Sequence, residues 1–345
     1  MKVKHIIFLI FSGFLFLFSC KKETIPAGAG NYTSGVFIVN EGPFGGTGSI
    51  TWHNPETGET VQGVFEKANG GAVLGQFVQS LTLHNGKAYI VVNGANKVYI
   101  VDAVTFNYLD TIGGLFLPRF FFPLDDNTAL ISQWGGDGLT GSVAKVDLAT
   151  RQIIQTIPTG KGPEKMIRRP DGLVAIANSG GFGVDSTVSI LNAGSTAEAS
   201  RIVVSGKNPG SLLVAPFAAA SATYVLCRGY FLDANPAGWA GPLVPGSDPG
   251  FAIPPYAEDL VVAPDGQKAY FTAGGKIYLL SGSGLSVLFD QSAYGLGCDP
   301  ATGNLFCTDA KDFNSQGEVV TYTATGTRIG AFQAGVAPGE VVFIR

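Results

Sequence analysis

Charge is scarce in this 345-residue chain: 14% of its residues are Asp, Glu, Lys or Arg, against 46% that are hydrophobic. Extended disorder needs the opposite balance, so most of the chain is expected to fold. Stretches rich in Ala, Glu, Lys and Leu are missing, which excludes a helical bundle. Histidine is limited to three residues, and only His53 and His84 remain beyond the first twenty positions. No Ser/His/Asp set and no zinc-ligand spacing is visible, so no catalytic residue, resident metal or cofactor is expected. The formal net charge is -4, and the first twenty residues contribute Lys2 and Lys4 without an acid. An acidic body of this kind is a poor match to a polyanion, so nucleic acid is not expected as a partner. Glycine (48 residues) and proline (19) are plentiful and alternate with short β-branched and aromatic runs, so the expected fold class is all-β.

No hydrophobic run comfortably reaches the roughly 20 residues of a membrane span. The longest, Ile6 to Phe18, follows Lys2 and Lys4 and has the proportions of a signal peptide, expected over residues 1–20. It closes with Leu17-Phe18-Ser19-Cys20, which resembles a bacterial lipoprotein box with Cys20 as the acylated residue; an ordinary secretory peptide with a chance Cys is the other reading. Several acyl chains, at about 0.8 kcal/mol per buried CH₂, would make a lasting anchor. Lys21, Lys22 and Glu23 resemble the export signal of Bacteroidetes lipoproteins displayed on the outer face of the outer membrane. Residues 21–34, with Pro26, Gly28 and Gly30, lack apolar periodicity and read as a tether.

Cysteine is held to four residues. If Ala301 to Asn304 form a hairpin turn, Cys298 faces Cys307, and either a cross-strand disulfide or two buried thiols would fit. Cys227 reads as core.

The body, residues 35–345, is a repeat. Leu81, Phe121, Met166, Leu212, Leu260, Leu296 and Val341 occupy equivalent positions in apolar strands, at intervals of 36 to 48 residues. Such a period matches four-stranded blades. The last unit has room for one strand after Glu340, and its missing strands lie at the other end, in Val36-Phe37-Ile38-Val39 and Ser49-Ile50-Thr51-Trp52. Joining the two ends gives a seven-bladed β-propeller, a closure that pairs edges an open array leaves exposed. Two packed open sheets are the competing arrangement. In blade five, residues 230–255 show no recognisable third or fourth strand.

Three strings carry a family likeness: Phe37-Ile38-Val39-Asn40-Glu41-Gly42, Asn54-Pro55-Glu56-Thr57-Gly58 and Ala88-Tyr89-Ile90-Val91-Val92-Asn93-Gly94. They resemble the seven-bladed propellers of the YncE and YVTN type, and more closely the Bacteroidetes surface lipoproteins with that fold. Among those lipoproteins are proteins that capture cobalamin above a TonB-dependent outer-membrane transporter. The resemblance therefore implies a cell-surface protein, held to the outer membrane by a lipid, that binds a nutrient and hands it on.

In a propeller, the loops between second and third strands and those between blades emerge on one face, the default binding site. The second strands end in Asn40, Asn93, Gln133, Asn178, Arg228 and Asp309. Either these converge on a ligand, or they cap their own turns. The loops of the same face carry Phe44, Trp134, Phe182, Tyr230, Phe231, Trp239, Tyr256, Tyr294 and Phe313, which could stack on a partly planar ligand or pack on each other. Lys67, Arg119, Lys161 and Lys165 are expected on inter-blade loops, where they could meet an anionic group. Two other functions remain open: a protein-interaction propeller with no small ligand, and a hydrolase resembling propeller lactonases, with a metal on Asn40, Glu41, Asn178 and Asp309.

Overall fold

The computed structural model describes residues 30–194, 197–215, 217, 222–244 and 250–344. The expected signal peptide with Cys20, and the tether as far as residue 29, lie outside the described residues. Within residues 30–34, read as part of the tether, Tyr32 is buried among Phe37, Trp52 and Phe106, and its amide donates to the Val104 carbonyl at 2.8 Å, while Asn31, Thr33 and Ser34 are exposed.

Seven four-stranded antiparallel sheets form the seven blades of a propeller. The innermost strands are Val78–His84, Pro118–Pro123, Pro163–Arg168, Pro209–Val214, Glu258–Val262, Gly295–Cys298 and Pro338–Ile344, for blades two to seven and blade one in turn. Each contains one of the seven equivalent apolar residues read from the repeat. Blade one is shared between the chain ends: Gly35–Asn40 pairs with Pro338–Ile344, Ile38 facing Val341 and Val36 facing Phe343. A single-turn helix, Val64–Ala68, lies between blades one and two and buries Val64, Phe65 and Ala68.

The core runs as layers between neighbouring blades, because each sheet has an apolar face toward either neighbour. Tyr89 of blade two stacks on Phe121 of blade three at 4.0 Å and 10°. The innermost strands are also joined by side chains. Ser80 and Thr82 donate to the carbonyls of Arg119 and Phe121 at 2.8 and 3.0 Å, and the Leu296 amide donates to Asp259 Oδ2 at 2.9 Å.

Blade five departs from expectation: it has a third strand, Gly238–Pro242, and a fourth, Phe251–Ile253. Its strands are hidden in the sequence because they are built around one ring. A Cβ on Gly241 or Gly250 would lie 2.5 or 2.3 Å from the Trp239 indole, so both positions must be glycine, and the strand reads as a loop. Trp239 is accordingly a buried strand residue packed with Cys227, not a loop aromatic.

The hairpin of blade seven also differs. Cys298 faces Leu305 and Cys307 faces Leu296, because the turn begins at Asp299, whose carboxylate caps the Ala301 amide at 2.9 Å. The two thiols are free, buried, and pushed up to about 12 by that burial. Cys227 is free and buried, as expected for core.

Close approach around the axis is tightest at Gly295, where a Cβ would lie 1.6 Å from the Gly339 carbonyl oxygen. Backbone cannot yield as a side chain can. Gly295→Ala should therefore lower stability by about 1–3 kcal/mol, the range for overpacking, read as a lower urea midpoint at unchanged slope.

Candidate functional site

The innermost strands begin irregularly, and that irregularity builds the site. Register shifts fall between Val78 and Ser80, Pro118 and Phe121, Pro163 and Met166, Pro209 and Ser211, and Glu258 and Val261. Just ahead of the strands stand Phe77, Leu117, Gly162, Asn208 and Ala337, all with φ between 49° and 60°. A bulge takes residues out of the ladder and re-aims their side chains. Here it turns Gln79, Arg119, Lys165 and Asp259 toward the axis. Together with Glu41, Arg228, Glu258, Tyr294 and Glu340 they line a cavity of about 110 Å³ at the mouth of the central channel.

The cavity is a network of ion pairs. Arg119 Nε donates to Glu164 Oε1 at 3.0 Å, its Nη1 binds Gln79, and its guanidinium lies 4.2 Å from the Trp134 ring centroid. Lys165 binds Asp259, and Arg228 Nε lies 2.8 Å from Glu258 Oε1. Tyr294 donates its hydroxyl to Glu41 Oε2 at 3.1 Å, and the Leu81 amide donates to Glu340 Oε2 at 2.8 Å. Burial pushes Glu258 and Glu340 up to about 7, against the opposing pull of Arg228 and Lys165 respectively. It also raises Glu41, while Arg119 and Tyr294 oppose it. Burial, reinforced by Glu41, holds the Tyr294 phenol above its ordinary value, so it stays a donor.

The expected ring of polar strand ends has mainly structural partners. Asn40 Nδ2 donates to Thr51 Oγ1 at 3.0 Å and its Oδ1 accepts from the Gly335 amide. Asn93 donates to the Pro118 carbonyl, Gln133 to Ser142 Oγ, and Asn178 to Thr187 and Ser189. Asp309 caps the Lys311 amide. Arg228 alone of this set lines the cavity. Arg119 and Lys165 lie on the innermost strands rather than on loops, while Lys67 sits on the single-turn helix. Lys161 is in the loop before Pro163 and donates its amide to Asp185.

Around the cavity stands a crown of rings. The exposed large aromatics among the described residues are Phe44, Phe116, Phe182, Phe231, Tyr256 and Phe313. Each lies between second and third strands or between blades, hence on the channel-mouth face. Phe44 is 91% exposed, left almost uncovered by the described residues. Trp134 packs edge-on to Phe182 at 5.5 Å, Tyr230 lies 5.3 Å from Phe231, and Tyr294 lies 5.1 Å from Phe313. A larger hollow, about 410 Å³, opens on the opposite face, where His53 stacks on Phe332 at 3.8 Å. It gathers few charged groups, and the charge network and ring cluster favour the channel mouth.

Sequence reasoning placed Glu41 at the channel only in the hydrolase alternative, and missed Gln79, Glu164, Glu258, Asp259, Glu340 and Phe116. A signal was available for most of them: apart from Glu41 and Arg228, the cavity residues stand one or two places before an apolar marker, in some blades just after a proline.

The model of the domain of unknown function DUF5074 matches residues 34–209, half of the chain. The chain belongs to the DUF5074 family. No curated protein matches it in sequence. Solved structures similar to this DUF5074 protein include a quinoprotein alcohol dehydrogenase-like protein of Bacteroides thetaiotaomicron, at 16% identity and a TM-score of 0.65, covering 91% of this chain and 79% of that one. A candidate 6-phosphogluconolactonase of Bacteroides fragilis is similar at 13% identity and a TM-score of 0.65, with 91% and 99% covered. A protein of unknown function from Desulfotomaculum acetoxidans is similar at 12% identity and a TM-score of 0.64, with 90% and 98% covered. At these identities the likeness concerns the fold.

Two outcomes follow from the network. Glu164 has no exposed side-chain surface and depends on Arg119, so Arg119→Met should cost about 3–5 kcal/mol in urea unfolding. Glu340, raised in the folded state, contributes stability that is complete below about pH 4.5 and lost as pH rises through about 7. Glu340→Gln should therefore melt above the parent at pH 8.5, with the gap closing at pH 4, in paired thermal melts.

Proposed function

We propose that this protein is a lipid-anchored surface receptor that captures a large, partly planar nutrient on its channel-mouth face and passes it to an outer-membrane transporter. The observation that carries the reading is the confinement of the exposed aromatic rings to that one face. Exposed apolar patches on soluble proteins usually serve binding. Each ring that stacks on a ligand adds roughly 0.5–1.5 kcal/mol beyond its buried area, so three or four suffice for useful capture.

A corrinoid is the leading candidate. It joins a broad flat ring to polar amide arms, matching a rim of aromatics around a polar centre. Pockets that enclose drug-sized ligands span about 300–1,000 Å³, so the cavity of about 110 Å³ admits an arm and leaves the ring on the crown. Anchoring at Cys20 is compatible with this use. Ser34 and Gly35 border the hollow that also holds His53 and Asn54, on the face away from the crown, so the tether would leave the binding surface open.

A metal-dependent hydrolase has less support. Asn40 spends both ends of its amide on neighbouring backbone and side chains, and among the described residues no three His, Cys, Asp or Glu side chains are grouped to hold a metal.

Calorimetry with cobalamin on the chain lacking residues 1–20 tests the proposal. Micromolar or tighter binding with a raised melting temperature is expected, at least tenfold weaker when Phe182 and Phe231 are both changed to Ala. Absence of heat and of any thermal shift at micromolar concentrations contradicts the corrinoid reading.

A further inference from the structure

We infer that the cavity at the channel mouth is a binding site for a compact organic cation, a protonated amine, whether or not the face above it takes a corrinoid. Its charges do not balance. Arg119, Lys165 and Arg228 already have acids in Glu164, Asp259 and Glu258. Glu41 and Glu340 have no cation of their own: one accepts from a phenol and the other from a backbone amide.

A gap lies beside the first of these carboxylates, Glu41. A Cβ on Gly339 would lie 3.3 Å from Glu41 Oε1 and 3.5 Å from Tyr294 Cε1, so the glycine leaves open a space bordered by an acid and an aromatic ring. Glu164, which does not line the cavity but acts electrostatically on Glu41, holds a further unmet acceptor. Glu164 has no exposed side-chain surface, and its Oε2 has no hydrogen-bond partner. Buried acceptors without partners are uncommon and costly, and a donor entering the network would relieve that cost.

The chemistry of the lining selects among ligands. An anion would meet an excess of carboxylates. A divalent metal needs several oxygen ligands close together, and no such group of three occurs among the described residues. An alkylammonium needs less: two or three acceptors, an aromatic face for cation–π contact, and room for a few non-hydrogen atoms. About 110 Å³ bordered by Glu41, Tyr294 and Glu340 provides these.

The charges facing Glu340 are Lys165 and Asp259, and those facing Glu41 are Arg119, Arg228 and Glu164. A bound cation favours the ionised carboxylates, so binding should release protons near neutral pH and weaken as pH falls.

Calorimetry and thermal shift with 1,4-diaminobutane test the inference, with 1,4-butanediol and calcium chloride as controls. At pH 8 the diamine should bind at millimolar concentrations or tighter. The affinity should fall about tenfold or more at pH 6, and the heat should depend on the buffer's ionisation enthalpy. The diol and calcium should leave the melting temperature unchanged. The double change Glu41→Gln and Glu340→Gln should weaken diamine binding at least tenfold while the melt stays cooperative. Gly339→Ala, a milder block that fills the gap, should do the same and serves if the double variant does not fold. No diamine binding at pH 8, equal binding by the folded variants, or a shift with calcium in place of the diamine overturns the inference. The cobalamin experiment fails or succeeds independently of these results.

Discussion

The pairing of Gly35–Asn40 with Pro338–Ile344 is the constraint on which the rest depends. Two segments some 300 residues apart in sequence become neighbours in one sheet, and the array loses the free edges it would otherwise expose. Closure fixes the number of blades and the width of the channel. It also brings Glu41, just past one of the paired strands, next to Gly339 on the other, so that Glu41 and Glu340 line one cavity. The cavity therefore exists only in the closed ring, since its lining comes from the first and last blades as well as from those between.

A second constraint acts where the innermost strands start. Those strands converge on the axis, and side chains and glycines manage the crowding: Ser80, Thr82 and Asp259 reach across to neighbouring backbone, while Gly295 and Gly339 nearly touch. The bulges at the strand starts turn ionisable groups inward, where burial raises the carboxylates. Such an arrangement sacrifices stability for a charged, partly desolvated centre. Sites of that character are more often used for recognition than for holding a fold together. The aromatic crown serves the same face by a different route, because its rings stand on loops that the blades position and do not cover.

Much of the architecture was legible in the sequence, because blades repeat their apolar pattern and the markers from Leu81 to Val341 all fall on innermost strands. The cavity was harder to read. At the place two residues before the markers stand Gln79, Arg119, Glu164, Gly210, Glu258, Tyr294 and Gly339, a set with no shared chemistry for a pattern to display. Conversely, the polar residues that did repeat, among them Asn40, Asn93 and Asn178, repeat because every blade needs the same backbone ties. Trp239 was misplaced because two glycines that accommodate its ring disguise a strand as a loop. The blade-seven hairpin slipped because Asp299 starts the turn earlier than composition suggests, which separates Cys298 from Cys307.

On the proposed function, one face, the channel mouth with its crown, meets the ligand. Hydrogen exchange of the purified protein with and without cobalamin tests it most directly. Slowed exchange confined to the loops bearing Phe44, Phe116, Phe182, Phe231, Tyr256 and Phe313 and to the adjoining strand starts is expected. Protection centred on the opposite turns, around His53 and Asp299, would contradict it.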